Sequence, residues 1–167
     1  MWGPVSAVLH ASTSAQDTAW FVKLGDMAPD GKLSILSNGV LKASYREIDP
    51  TRSAPGQPFG TFQNPQLPEP NKVLDYQIEL IPIFHTFRKG HKIWFQVASD
   101  DFDFQDRLHT IYTIEMLPVP AENAIHHDSV HPSCIHLPVV PDAPAIKPVA
   151  PPISQMTWPL GENDWEG

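Results

Sequence analysis

Proline is spread along almost the whole chain, and each one removes a backbone donor and locks φ near −65°, so long helices are excluded wherever it recurs. There are 19 in 167 residues, roughly twice the average usage of about 5%. Between these interruptions the sequence alternates apolar and polar residues with period two, the mark of a half-buried strand. In "LDYQIEL", Leu74, Tyr76, Ile78 and Leu80 share one face, opposite Asp75, Gln77 and Glu79. In "HKIWFQVAS", Ile93, Phe95 and Val97 oppose Trp94, Gln96 and Ala98 after an "RKG" turn.

Earlier in the chain, "VSAVLHA", "WFVKLGD" and "LKASYRE" have strand length and are divided by "APDG" at 28–31 and "SNG" at 37–39, dipeptides that favour hairpins. Five or more such strands predict an all-β antiparallel sandwich or jelly roll. The segment "DFDFQDRLHTIYTIEML" reads as a loop followed by a strand. Six prolines between Asp49 and Pro70 predict a long excursion without regular structure, pinned at its ends. Six more between Pro141 and Pro159 set off an extended tail, so the expected division is a sandwich domain at 1–141 and a Pro-rich extension at 142–167.

The composition, with 41% hydrophobic residues, suffices for a core in a single domain. Eleven basic against nineteen acidic residues give a formal charge of −8, with no basic stripe to attract phosphates, so nucleic-acid binding is excluded. No apolar run reaches the length of a membrane span, and "MWGPVSAVLHAST" lacks the pattern of a signal peptide. Together with a lone cysteine, which closes no internal disulfide, this predicts a soluble, cytoplasmic protein.

Three signatures together resemble one family. "WFVKLGDMAPDGKLSILSNGVLKASYREID" is similar to a segment in which Leu-x-Asp precedes a Pro-Asp-Gly turn and a Gly-x-Leu-(Lys/Arg)-Ala-x-x-Arg strand. "FRKGHKIWFQVASDDF" resembles a Phe-x-x-Gly-His-(Arg/Lys) strand, and "HPSCIHLPVVP" a closing His-Pro-Ser…Leu-Pro strand. The family is the C-terminal non-catalytic β-domain of the X-Pro dipeptidyl-peptidase, cocaine esterase and α-amino-acid ester hydrolase group. The resemblance spans about Trp2 to Pro141. It implies a jelly roll related to galactose-binding and carbohydrate-binding modules, and as partner an α/β-hydrolase domain that carries the Ser, Asp and His. No G-x-S-x-G occurs in this chain, so the expected role is that of an accessory module without catalytic residues or cofactor, excised or shortened from a hydrolase, which shapes the substrate cleft. Self-association through surface left uncovered is a further expectation. The alternative is a free-standing carbohydrate-binding module.

Candidate sites follow from both readings. Asp26, Asp30, Gly31, Gly39, Arg46, Gly90 and His91 belong to the family-like signatures and read as structural: Asp30-Gly31 as a turn, Arg46 as a fork for a carboxylate, His91 as a partner for backbone freed by the turn at Gly90. Trp20 and Trp94 are candidates for a sugar-stacking platform, weighed against core packing. Asp100, Asp101 and Asp103 offer oxygen ligands for calcium, weighed against a solvated loop. "IHHDSVHPSCIH" at 125–136 holds four of eight histidines. The preferred reading is a loop entering a strand with Cys134 packed as a small apolar residue, and the alternatives are a metal site using His127 and His131 or, less favoured, a nucleophilic Cys134.

Overall fold

A computed structural model describes residues 1–99 and 120–141. Within them the chain forms seven antiparallel strands: β1 (Trp2–Thr13), β2 (Ala19–Met27), β3 (Leu33–Lys42), β4 (Leu74–Phe84), β5 (Lys92–Ala98), β6 (Asn123–His126) and β7 (Cys134–His136). No α-helix occurs among the described residues, and a 3₁₀ turn at Ala43–Tyr45 is the one helical element there. One sheet has the order β4-β1-β6, with β7 also pairing β1, and the other has the order β3-β2-β5.

The two sheets bury one shared apolar layer. Val5, Ala7, Leu9 and Ala11 of β1 lie beside Tyr76, Ile78, Leu80 and Ile83 of β4 in one sheet and pack against Trp20, Val22 and Leu24 of β2 in the other, all buried. The alternation in β4 holds for eight residues, Leu74 through Ile81, then breaks at Pro82. Gly3 pairs with Ile83 but Val5 with Leu80, so Pro4 opposes both Ile81 and Pro82. This is a β-bulge, and a bulge is where a sheet tolerates proline. In β5, Phe95 and Val97 pack on the core, while Ile93, on the same side, is left 48% exposed at the sheet's end.

Two expected boundaries are corrected. "SNG" is no turn: Ser37, Asn38 and Gly39 lie inside β3, paired with Leu24, Lys23 and Val22. The reason is contact across the two sheets, because a Cβ on Gly39 would sit 2.2 Å from the Glu79 carbonyl oxygen. Ser37 Oγ donates to the Ile81 carbonyl at 2.5 Å, so β3 and β4 form a seam between the sheets. "LKASYRE" is not a strand beyond Lys42, since the Asp17 carboxylate accepts from Thr18 N and Ser44 N, each at 3.0 Å, and bends the chain into the 3₁₀ turn.

The Pro-rich excursion from Asp49 to Pro70 contains no named strand or helix. It is held by isolated bridges, Ile48 with Gly60 and Ala54 with Gln57, and Asn71 N donates to Thr13 O just past its end. The expected strand within "DFDFQDRLHTIYTIEML" and the Pro-rich extension at 142–167 lie outside the described residues. No helix among the described residues is long and apolar enough to cross a membrane.

Candidate functional site

The most organised polar site sits at one end of the sandwich. Asp26 ends the inner face of β2, where alternation after Val22 and Leu24 directs it between the sheets. Its carboxylate is nearly buried and meets two imidazoles: His85 Nε2 at 2.8 Å from Oδ2 and His91 Nδ1 at 2.8 Å from Oδ1. Burial alone would raise the Asp26 carboxyl, but the hydrogen bonds and charges of His85 and His91 outweigh it and hold the carboxyl below the usual aspartate value. His85 directly follows β4 in one sheet, whereas His91 precedes β5 in the other. One carboxylate therefore ties both sheets together.

This corrects the expected partner of His91, which is the Asp26 side chain rather than free backbone. The turn before it closes through its own main chain, His91 N to Arg88 O at 3.0 Å, with Gly90 at φ +86°. His85 was not singled out from sequence, and its only signal is a histidine six residues before His91 at the end of an alternating segment.

Asp30 and Gly31 form the turn between β2 and β3: Asp30 Oδ1 accepts from Lys32 N at 3.0 Å, and Gly31 takes φ +86°. Arg46 grips carbonyls rather than the expected carboxylate. Its guanidinium donates to Ala43 O at 3.3 Å, to Gln66 O, and to Gln66 Oε1 at 3.4 Å, because the excursion after Asp49 returns over the 3₁₀ turn and presents its backbone there. Beside it, a cleft of about 180 Å³ is lined by residues including Val40, Tyr45, Phe59, Phe62, Gln77 and Glu79.

Trp20 lies in the core, 1% exposed, with its ring 5.4 Å from that of Tyr76, which removes it as a sugar platform. Trp94 is half-buried on the outer face of its sheet, over Gly25, where a Cβ would lie 3.2 Å from the indole. Asp100, Asp101 and Asp103 lie outside the described residues.

The histidine-rich stretch is an interrupted edge strand. His126 pairs with His10, Cys134 with Val8, and both segments run antiparallel to β1. The residues between are looped out, their ends joined by a bridge between His127 and Pro132. Ser133 plugs the gap, accepting from His10 N at 2.9 Å and donating to His126 O at 2.5 Å. Asp128 Oδ1 accepts from Val130 N and His131 N at 2.8 Å, and these backbone bonds hold its carboxyl below the usual value. The His131 ring is thereby laid against those of His10 and His126, with centroids 5.9 and 5.6 Å away. No helix brings His127 and His131 together, and among the described residues no group of three or more His, Cys, Asp or Glu is arranged to hold a metal ion.

Cys134 is exposed rather than packed. Alternation in β7 turns Ile135 toward the core and so turns Cys134 and His136 outward, with Sγ 3.6 Å from His136 Nε2. Ser12 Oγ is 3.5 Å from His126 Nε2.

Fold and site together define an all-β sandwich in which the polar groups described above fasten strands to one another. The chain belongs to the X-Pro dipeptidyl-peptidase C-terminal non-catalytic domain family, whose model matches residues 1–136. It is 34% identical over 143 residues to the cocaine esterase of Rhodococcus sp. strain MB1 Bresler, a match covering 83% of this chain and 23% of that protein. It is 26% identical over 145 residues to a protein of Mycobacterium tuberculosis described as a serine esterase, covering 83% and 21% of the two. Among solved structures it resembles a CocE/NonD family hydrolase of Staphylococcus aureus, with TM-score 0.72 and 17% identity over 81% of this chain and 27% of that one. An aminopeptidase from a marine sediment Thaumarchaeota archaeon gives TM-score 0.60 at 28% identity, covering 80% and 22%. The chain thus spans about a quarter of the length of these relatives, in which the equivalent domain is one part of a larger hydrolase.

Proposed function

We propose that this domain is the accessory β-domain of a serine hydrolase of the ester or X-Pro peptide class, packing on an α/β-hydrolase domain and forming one wall of its substrate cleft. The observation that carries this reading is the family match over residues 1–136, reinforced by an esterase relative of which the chain covers only 23%. In this role Asp26 with His91, Asp30 with Gly31, Gly39, Arg46 and Gly90 act as scaffold. They keep the sandwich rigid, so that any wall it offers to a cleft is preorganised. The galactose-binding-like jelly-roll connectivity is part of the same proposal.

The test replaces the matched C-terminal segment of the Rhodococcus esterase with this chain and measures turnover of a nitrophenyl ester. The expected result is an active chimera that survives heating longer than the truncated esterase and has a KM altered from that of the natural enzyme. A chimera no better than the truncated enzyme would overturn the reading.

A further inference from the structure

We infer that Trp2 and Phe84 form the contact by which this domain docks on the α/β-hydrolase portion of its parent enzyme, an inference that rests on the function proposed above. The two are paired across β1 and β4 on the outer face of their sheet. They are 71% and 73% exposed, and their rings meet edge to face with centroids 6.3 Å apart. Ile81, 60% exposed, projects from the adjoining bulge. Large aromatics left in water beside other apolar groups mark an interaction surface.

The frame beneath them is rigid. Pro4 faces Ile81 and Pro82 at the bulge, Trp2 N donates to Pro138 O at 3.1 Å, and Phe84 is followed by His85, which is held on Asp26. Aromatic anchors fixed in place before binding lose little entropy when they dock, which is how a few residues come to dominate an interface.

Two observations select the occupant. The matched family is a C-terminal domain, and the segment is 23% of the Rhodococcus esterase, so in such relatives most of the protein precedes the matched segment. Trp2 is the first residue of β1 and lies at the N-terminal end of the matched segment, the side from which the preceding portion of such relatives arrives. A second copy of this chain fits less well, because each copy carries a formal charge of −8 and the copies repel.

The test uses the esterase chimera described above together with the isolated 167-residue chain. Trp2→Ser/Phe84→Ser is expected to leave melting of the isolated chain unchanged, yet to make the chimera lose nitrophenyl esterase activity on heating roughly tenfold faster. Ile35→Ser/Val130→Ser, at exposed apolar positions elsewhere, is expected to change neither. If the Trp2→Ser/Phe84→Ser chimera inactivates like its parent, this docking contact is wrong while the accessory function stands. If the unmutated chimera gains nothing over the truncated esterase, the functional reading itself fails and takes the contact with it. If sedimentation shows that the isolated chain is a dimer and the double variant a monomer, the occupant is a second copy and the inference is overturned.

Discussion

At the residue scale, the Asp26 tie makes stability depend on pH in a definite direction. The carboxyl is depressed in the folded chain, so the unfolded chain binds its proton first as the medium is acidified. The stabilisation is complete above the unfolded aspartate value of about 3.9 and disappears as pH falls through the lower folded value. Thermal melts of Asp26→Asn are expected to show a lower melting temperature at pH 7 and a smaller loss between pH 5 and pH 2 than the parent chain. Tyr76 offers the opposite case. Its hydroxyl and Trp20 Nε1 are buried beside one another without a well-aligned hydrogen bond, and a buried polar atom left poorly paired costs up to about 1–3 kcal/mol. Tyr76→Phe is therefore expected to raise stability by about 1 kcal/mol in urea titration. The tie was half legible in the sequence. Leu-x-Asp and Gly-His stand out as motifs, yet nothing in local spacing reveals that side chains 59 and 65 positions from Asp26 converge on it.

At the element scale, alternation located β4 and β5 because period two reports which face of a strand is covered, and Tyr76, Ile78 and Leu80 are buried while their neighbours are not; β1 and β2 were marked instead by strand length between polar turns. Turn chemistry was a poorer guide. Pro-Asp-Gly at 29–31 is a real turn with Gly31 at positive φ, whereas Asn38-Gly39 is strand, and its glycine answers to a backbone in the opposite sheet. A dipeptide says what a residue permits, and tertiary contact decides which permission is used. Gly39→Ala is the corresponding test. Its methyl would overlap the Glu79 carbonyl, so a loss of about 1–3 kcal/mol and a fall in melting temperature of roughly 3–10 °C are expected by calorimetry. The histidine-rich stretch was misleading for the same reason. Its residues are gathered by an interruption in an edge strand, and the hydroxyl of Ser133, not a metal ligand, is what repairs the ladder.

At the scale of the whole molecule, the all-β class and the family were legible because strand patterns and three long signatures extend over most of the chain. Substrate and docking geometry were not, since the chain spans only about a quarter of the length of the hydrolases it matches. The purified chain is expected to show no turnover of a nitrophenyl ester above a buffer blank, and activity that persists through repeated purification would contradict the accessory role. The seam at Gly39 and Glu79 has one more implication. It works like the spine of a bound book, with β3 and β4 as the stitched margin and the two sheets as covers. Among the described residues the strands of the two sheets are stitched along this one margin, so a force that parts the covers is expected to open them first at the fore-edge along β5, β6 and β7.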